Sequence, residues 1–158
     1  MCVVIRKSAI SDLEPAWKLD REVFKEDAWT LLDYIGVFTS PDICRFTALA
    51  EGEFAGFGAS CMDQKENAVC LMNLAVHPKF QRRGIGRMLL DHIEKAFGPS
   101  DVYLYVDIEN KNAIRLYEKA GYEHTGTIPA YYMTGNDALI MKKQISEVKD
   151  DVLRYDFK

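Results

Sequence analysis

The stretch Leu71-Met72-Asn73-Leu74-Ala75-Val76-His77-Pro78-Lys79-Phe80-Gln81-Arg82-Arg83-Gly84-Ile85-Gly86-Arg87 holds two different periodicities on either side of a short basic loop. Its first part continues a nearly all-apolar run, Val69 to Val76, the pattern of a central strand buried on both faces. The run stops at His77-Pro78. From Gly84 the pattern turns helical: Ile85, Met88, Leu89, Ile93, Ala96 and Phe97 fall on one face of a 3.6-residue repeat. Gly98-Pro99 ends that helix.

The loop between them has a chemical consequence. The first N–H groups of a helix have no internal partner, and the aligned peptide dipoles add about half a positive charge there. Gly84 and Gly86 remove side chains at that point, so an anion can approach the backbone. Lys79, Arg82, Arg83 and Arg87 put four cations into nine residues with no acid among them. The same charges also suit a plain solvated helix end. No Gly-Lys-Ser/Thr follows, so this is not a Walker loop. Position 89 is Leu, so the dinucleotide fingerprint is incomplete.

Outward from this segment, Val3-Val4-Ile5 reads as a first strand. Ser11-Asp12-Leu13-Glu14 reads as a capping box with Ser11 as N-cap, leading a helix through Leu13, Ala16 and Trp17. Trp29 to Phe38 is a second helix, ended near Ser40-Pro41. Phe46 to Ala50 and Phe54 to Met62 are strands joined by Glu51-Gly52-Glu53. Gly56 and Gly58 inside the second of them predict a close backbone approach or a bend.

On the C-terminal side, Val102, Leu104, Val106 and Ile108 alternate with Tyr103, Tyr105 and Asp107, a strand with two distinct faces. A helix through Ala113, Leu116, Tyr117 and Ala120 is closed by Gly121. Tyr122 to Ile128 and Ala138 to Met141 are the last strands. The order is that of an α/β (α+β) chain: one mixed, mostly antiparallel sheet with helices on both faces. Residues 1–145 are expected to form one domain, and residues 146–158 a charged tail.

With 158 residues, 20 Lys plus Arg and 24 Asp plus Glu, the chain has a net charge of −4. A mildly acidic chain without an aromatic-studded basic face argues against nucleic acid. No run approaches 18 apolar residues, so no membrane partner is expected. Cys44, Cys61 and Cys70 sit in apolar runs and read as small core residues. With Cys2 they make no C-x-x-C pair, and the three histidines complete no metal pattern. A cytoplasmic monomer or homodimer without a metal is the expectation.

Gln81-x-x-Gly84-x-Gly86 after Asn73-Leu74-Ala75-Val76-His77-Pro78 resembles the acetyl-CoA signature of the GNAT N-acyltransferase superfamily. Asn110-x-x-Ala113-Ile114-x-Leu116-Tyr117-Glu118-Lys119-x-Gly121-Tyr122 is similar to that family's "N-x-x-A-x-x-L-Y-x-x-x-G-F" helix. The resemblance spans about Val3 to Lys143. It implies a GNAT-like fold and acetyl-CoA as acyl donor. It implies that Leu74, Ala75 and Val76 pair with the cofactor arm as an added strand. Gln81, Arg82, Arg83, Gly84, Ile85, Gly86 and Arg87 would hold the pyrophosphate. Asn110 and Ala113 would sit against the arm, and Tyr117 would protonate the departing thiolate. Tyr117 also fits as an aromatic packed into the core.

Ribosomal-protein N-terminal acetyltransferases of the family carry a glutamate base five residues before the motif asparagine. Here that position is Tyr105, a poor base at pH 7 but able to order a water or position an amine. Glu26, Asp27, Asp107, and Asn73 through a water, remain open as bases. Deprotonating a lysine amine at pH 7 costs about 4.6 kcal/mol, against about 1.1 for an α-amine. A site without a strong base therefore favours α-amines. Tyr131-Tyr132 followed by Asp137-Ala138-x-x-Met141 resembles the C-terminal stretch of N-terminal protein acetyltransferases, and Asp27-Ala28-Trp29-Thr30 resembles their acceptor-side segment. The implied acceptor is a peptide or protein N-terminus touched by Trp29, Tyr131 and Tyr132. The paired tyrosines also fit as packing for the last hairpin. A small-molecule amine as acceptor, or an acetyl-CoA sensor without catalysis, are the alternatives.

Overall fold

The structure is a computed structural model that describes residues 1–145. The expected tail at 146–158 lies outside the described residues. Seven strands form one sheet in the order β1-β2-β3-β4-β5-β7-β6: β1 Val3–Lys7, β2 Ile43–Ala50, β3 Glu53–Asp63, β4 Ala68–Val76, β5 Val102–Asp107, β6 Glu123–Ile128 and β7 Ala138–Lys143. Among the described residues only β4 and β5 pair in parallel. Helices α1 (Leu13–Phe24) and α2 (Leu31–Thr39) cover one face through Ala16, Tyr34, Val37 and Phe38 against Phe57 and Ala59. Helices α3 (Ile85–Lys95) and α4 (Lys111–Lys119) cover the other, where Leu89, Leu90, Ile93 and Tyr117 meet Val69, Leu71, Leu104 and Val106. The mixed, mostly antiparallel sheet with helices on both faces is as expected.

The glycines of β3 make room for α3. A Cβ on Gly58 would sit 2.6 Å from Ile93 Cδ1 of α3, and one on Gly56 3.1 Å from Leu89 Cδ1 of the same helix and 2.9 Å from the Ala75 oxygen of β4. The close approach read from the sequence is therefore a helix lying directly on the strand. The β2–β3 turn is equally local: Glu51 (φ 51) and Gly52 (φ 81) adopt the left-handed pair that a two-residue hairpin needs.

Several boundaries differ from expectation for identifiable reasons. Ser11 is not the N-cap. A short 3-10 turn, Ile10–Asp12, precedes α1, and Asp12 accepts the Ala9 N–H at 2.7 Å while pairing with Arg6. Asp12 stands at the N-cap position of α1, but its buried carboxylate turns back to Ala9 and Arg6 and gives the helix no side-chain cap. The second helix starts at Leu31, not Trp29, because Thr30 and Asp33 close a reciprocal capping box. Helix α3 ends at Lys95, two residues before Phe97. Cys44, Cys61 and Cys70 are half-buried rather than core.

Strand β4 is not uniformly buried. Cys70, Met72, Leu74 and Val76 are half-buried and alternate with buried neighbours. Two irregularities explain this. Ala59 pairs with Asn73 and Ser60 with Leu71, so Met72 is an extra residue, a bulge. Met72 and Asn73 then both face α1, Met72 in its apolar cluster and Asn73 bonded to Asp20. On the other side, β4 and β5 pair only at Val69–Val102 and Cys70–Tyr103. Beyond Cys70 the two strands diverge, and β4 turns an unpaired edge toward the gap.

Candidate active site

Two cavities open where β4 and β5 part. The first, about 580 Å³, runs along Leu74, Ala75 and Val76 to the start of α3 at Gln81, Arg82, Gly84, Ile85, Gly86 and Arg87, with α4 forming its far wall. The second, about 620 Å³, lies on the opposite side under Trp29, Tyr105 and Tyr132. Asn110, Ala113 and Tyr117 line both.

The start of α3 is built for exposure of backbone N–H groups. Arg82 (φ 62) and Gly84 (φ 79) are both left-handed, and a Cβ on Gly84 would meet nothing within 4 Å. Gly84 is thus needed for its φ and leaves open space beside it. The first helical bond is Met88 N–H to the Gly84 carbonyl, at 3.1 Å, so the N–H groups of Ile85, Gly86 and Arg87 precede the ladder. Alternating left-handed residues before a helix make a concave seat for an anion. Gly86 lines the first cavity and has a packing job besides. Its absent side chain admits Leu116 Cδ2 and Val76 Cγ2, 3.2 and 3.6 Å from where a Cβ would sit. It lets α4 and β4 close on α3.

The cations divide. Arg82 and Arg87 line the first cavity, and Arg87 is steadied by Asp91 at 2.9 Å. Arg83 does not line it; its guanidinium lies 5.8 Å from the Phe80 ring centre and 3.4 Å from Met1 Sδ. Arg115 and Lys119 of α4 complete the basic wall, and no acid is among its described residues. The sequence reading missed this pair. Its signal was the i, i+4 spacing of two cations on the helix that Asn110 opens.

Gln81 gives its amide N–H to the Val76 carbonyl at 3.0 Å, tying the loop to the strand end. Asn110 caps α4, its Oδ1 accepting the Ala113 N–H at 3.2 Å. Because that oxygen must face the helix, the amide N–H₂ is the part free to donate into the cavities.

Tyr117 is 6% exposed, and its ring meets Tyr122 edge-on at 5.7 Å. It therefore belongs to the core and also to both cavity walls. Burial, with a smaller contribution from Tyr132, pushes its hydroxyl above the usual tyrosine value. Tyr117 is a phenol, and so a donor, at neutral pH. Tyr105 is 41% exposed, and desolvation together with Cys70, Tyr131, Glu66 and Asp63 raises it as well. A raised phenol makes Tyr105 a still poorer base and leaves positioning as its chemistry.

The open bases are mostly engaged. Asp27 accepts the Met133 N–H at 2.7 Å. Asp107 accepts the Glu109 N–H at 2.9 Å and the Asn136 amide at 3.1 Å. Asn73 donates to Asp20 at 2.6 Å, and its Oδ1 is closed to water. Asp20, which sequence reading did not single out, also accepts the Trp29 N–H at 2.7 Å. Burial raises its carboxyl, and the hydrogen bonds from Asn73 and Trp29 offset this only in part. Charged residues around the second cavity are Asp20, Glu26, Asp27, Asp107 and Glu109 with Lys25. The two cavities thus have opposite sign, with Tyr117 at their junction.

A sheet split between β4 and β5, with an anion seat at one mouth, defines a GNAT-type acyltransferase architecture. The sequence pattern of the acetyltransferase (GNAT) family matches residues 8–122, and the chain belongs to that family. It is 32% identical over 142 residues to the ribosomal protein bS18-alanine N-acetyltransferase of Salmonella typhimurium, covering 86% of this chain and 93% of the relative. It is 28% identical over 151 residues to an N-alpha-acetyltransferase of Sulfurisphaera tokodaii, covering 87% and 90%. The crystal structure of the ribosomal-protein-S18-alanine N-acetyltransferase from Escherichia coli superposes with a TM-score of 0.81 at 26% identity, over 96% of this chain and 99% of that one. The chain is an acetyl-CoA-dependent N-acetyltransferase. Its own residues fit that donor: the β4 edge beyond Cys70, the clear space at Gly84 and a wall carrying Arg82, Arg87, Arg115 and Lys119.

Proposed function

We propose that this chain transfers the acetyl group of acetyl-CoA to the α-amine of a peptide or protein. The observation that carries the reading is the place of Tyr117 between a basic cavity and an acidic one. When bound, acetyl-CoA supplies an acyl group activated as a thioester. In this reading the β4 edge at Leu74–Val76 aligns the donor's arm by backbone hydrogen bonds. Asn110 donates to the arm, while the α3 N–H groups with Arg82, Arg87, Arg115 and Lys119 hold the phosphates. As the nitrogen–carbon bond forms and the carbon–sulfur bond breaks, Tyr117 would give its proton to the departing sulfur, and the proton shed by the nitrogen would pass to solvent water and restore the phenol.

The acceptor enters from the second cavity, between Trp29 and Tyr132. Its carboxylates favour a cationic amine on approach. Of the groups open as bases, Asp27, Asp107 and Asn73 are held by hydrogen bonds, which leaves Glu26 on the cavity wall, and Tyr105 stands where the glutamate would; this favours an amine already partly neutral at pH 7. Two relatives named for α-amine acetylation support the same choice. We place the enzyme in the cytoplasm, with neither nucleic acid nor membrane as partner, in keeping with its four free thiols and net charge of −4. Thiol release from acetyl-CoA, measured with a panel of peptides and a panel of polyamines, tests the reading. Turnover with peptides is expected; turnover confined to polyamines overturns it.

A further inference from the structure

Strand β5 has one face covered by α3 and α4 and another that carries aromatic rings. Val102, Leu104 and Val106 are buried, whereas Tyr103 is half-buried and Tyr105 is exposed. The helices on that second face pack over β3 through Phe57 and Ala59. Beside them the rings form a continuous ledge. Tyr132, in the wall of the acidic cavity, meets Tyr131 at 5.1 Å between ring centres. Tyr131 meets Tyr105 at 5.5 Å, and Tyr105 meets Tyr103 at 5.9 Å. The ledge ends at Asp63, whose carboxylate accepts the Tyr103 hydroxyl at 2.6 Å. Asp63 and Glu66 are close enough to influence the Tyr105 hydroxyl electrostatically.

Such a path suits one kind of occupant. Flat rings hold a polypeptide backbone and its side chains at low entropy cost, each ring giving apolar area and a polar tip. Three centre-to-centre steps of 5.1 to 5.9 Å match about five extended residues at roughly 3.3 Å each. The carboxylates at the far end complement a cation.

We propose that this ledge is an extended acceptor subsite that binds the first several residues of a polypeptide downstream of the reacting amine, with a basic side chain near Asp63 and Glu66. This rests on the reading of the chain as an α-amine acetyltransferase. It separates long polypeptide acceptors from dipeptides and free amines, which reach only Trp29 and Tyr132.

The test is a length series on the unaltered enzyme: peptides of two, four, six and eight residues sharing one N-terminal sequence, with lysine or glutamate at the sixth position. KM is expected to fall about tenfold between the two- and six-residue peptides and then level off. The glutamate series is expected to lose much of that gain. Tyr103→Ala, checked for an unchanged thermal transition, is expected to bring the KM of the six-residue peptide up toward that of the dipeptide. Equal KM at every length overturns the ledge while leaving α-amine acetylation standing. Turnover of polyamines but of no peptide overturns the underlying reading instead. Light-scattering mass showing a dimer that Tyr103→Ala dissociates assigns the face to a second copy of the chain and also overturns the proposal.

Discussion

Asn73 on the β4 bulge donates its side-chain N–H to Asp20 at the C-terminal half of α1, 2.6 Å away, with both groups buried. The second Asp20 oxygen takes the Trp29 N–H. One carboxylate therefore fastens the bulged strand, α1 and the segment leading to α2, three pieces that wall the acceptor cavity. Asp20→Ala leaves the buried Asn73 amide and the half-buried Trp29 N–H without their acceptor and is expected to cost on the order of 2–5 kcal/mol. Asp20→Asn keeps one acceptor oxygen and is expected to lose about half as much. Urea unfolding of the two variants checks the order.

Tyr117→Phe removes only a hydroxyl and keeps the ring packed on Tyr122. Turnover is expected to fall by about 10²–10⁴-fold. The dissociation constant for acetyl-CoA, measured by calorimetry, is expected to stay within about twofold, since no phosphate contact is lost. Unchanged turnover removes Tyr117 from the proton transfer.

Arg115→Ala and Lys119→Ala test cations that the motif does not contain. Each is expected to weaken acetyl-CoA binding about three- to tenfold at low salt, and the loss should shrink at high salt. Arg83→Ala, whose side chain lies against Phe80 and Met1, is expected to change it little. Gly86→Ala should weaken binding by a different route, because the new methyl presses on Leu116 from 3.2 Å and separates α3 from α4.

Asp12 sets an acid limit on stability. Burial by itself raises its carboxyl; hydrogen bonds from Arg6, Ala9 and Thr47 outweigh that and hold it below the ordinary value. A depressed carboxyl contributes stability above its unfolded value of about 3.9, and that contribution vanishes as pH falls through the lower folded value. The stability gap between the unaltered chain and Asp12→Asn is thus expected to be full at about pH 6 and to shrink as pH falls below about 4. A gap of constant size across that range contradicts the ion-pair account.

The parts legible in the sequence were those with local signatures. The strand at Val69–Val76, the Gly84 turn and the alternation of β5 each depend on neighbours within a few residues, and the structure follows them, except that β4 is half-buried at every second residue from Cys70. The capping errors came from competition between nearby side chains. Ser11 has the right type, but the buried pairing of Asp12 with Arg6 wins, and Thr30 with Asp33 shifts the start of α2. The site residues that escaped notice depend on distant contacts. Asp20 meets Asn73 across 53 positions, and Arg115 and Lys119 reach the cavity only because α4 packs beside α3. The role of Gly86 was equally hidden, since Leu116 and Val76 come to it from other elements.

The central claim is that the acceptor is an α-amine. A peptide carrying a free N-terminal amine and an internal lysine puts both amines before the enzyme at equal concentration. Tandem mass spectrometry of the product at pH 7 locates the acetyl group. The account predicts a single acetyl on the α-nitrogen; an acetyl on the lysine Nζ with the N-terminus left free contradicts it.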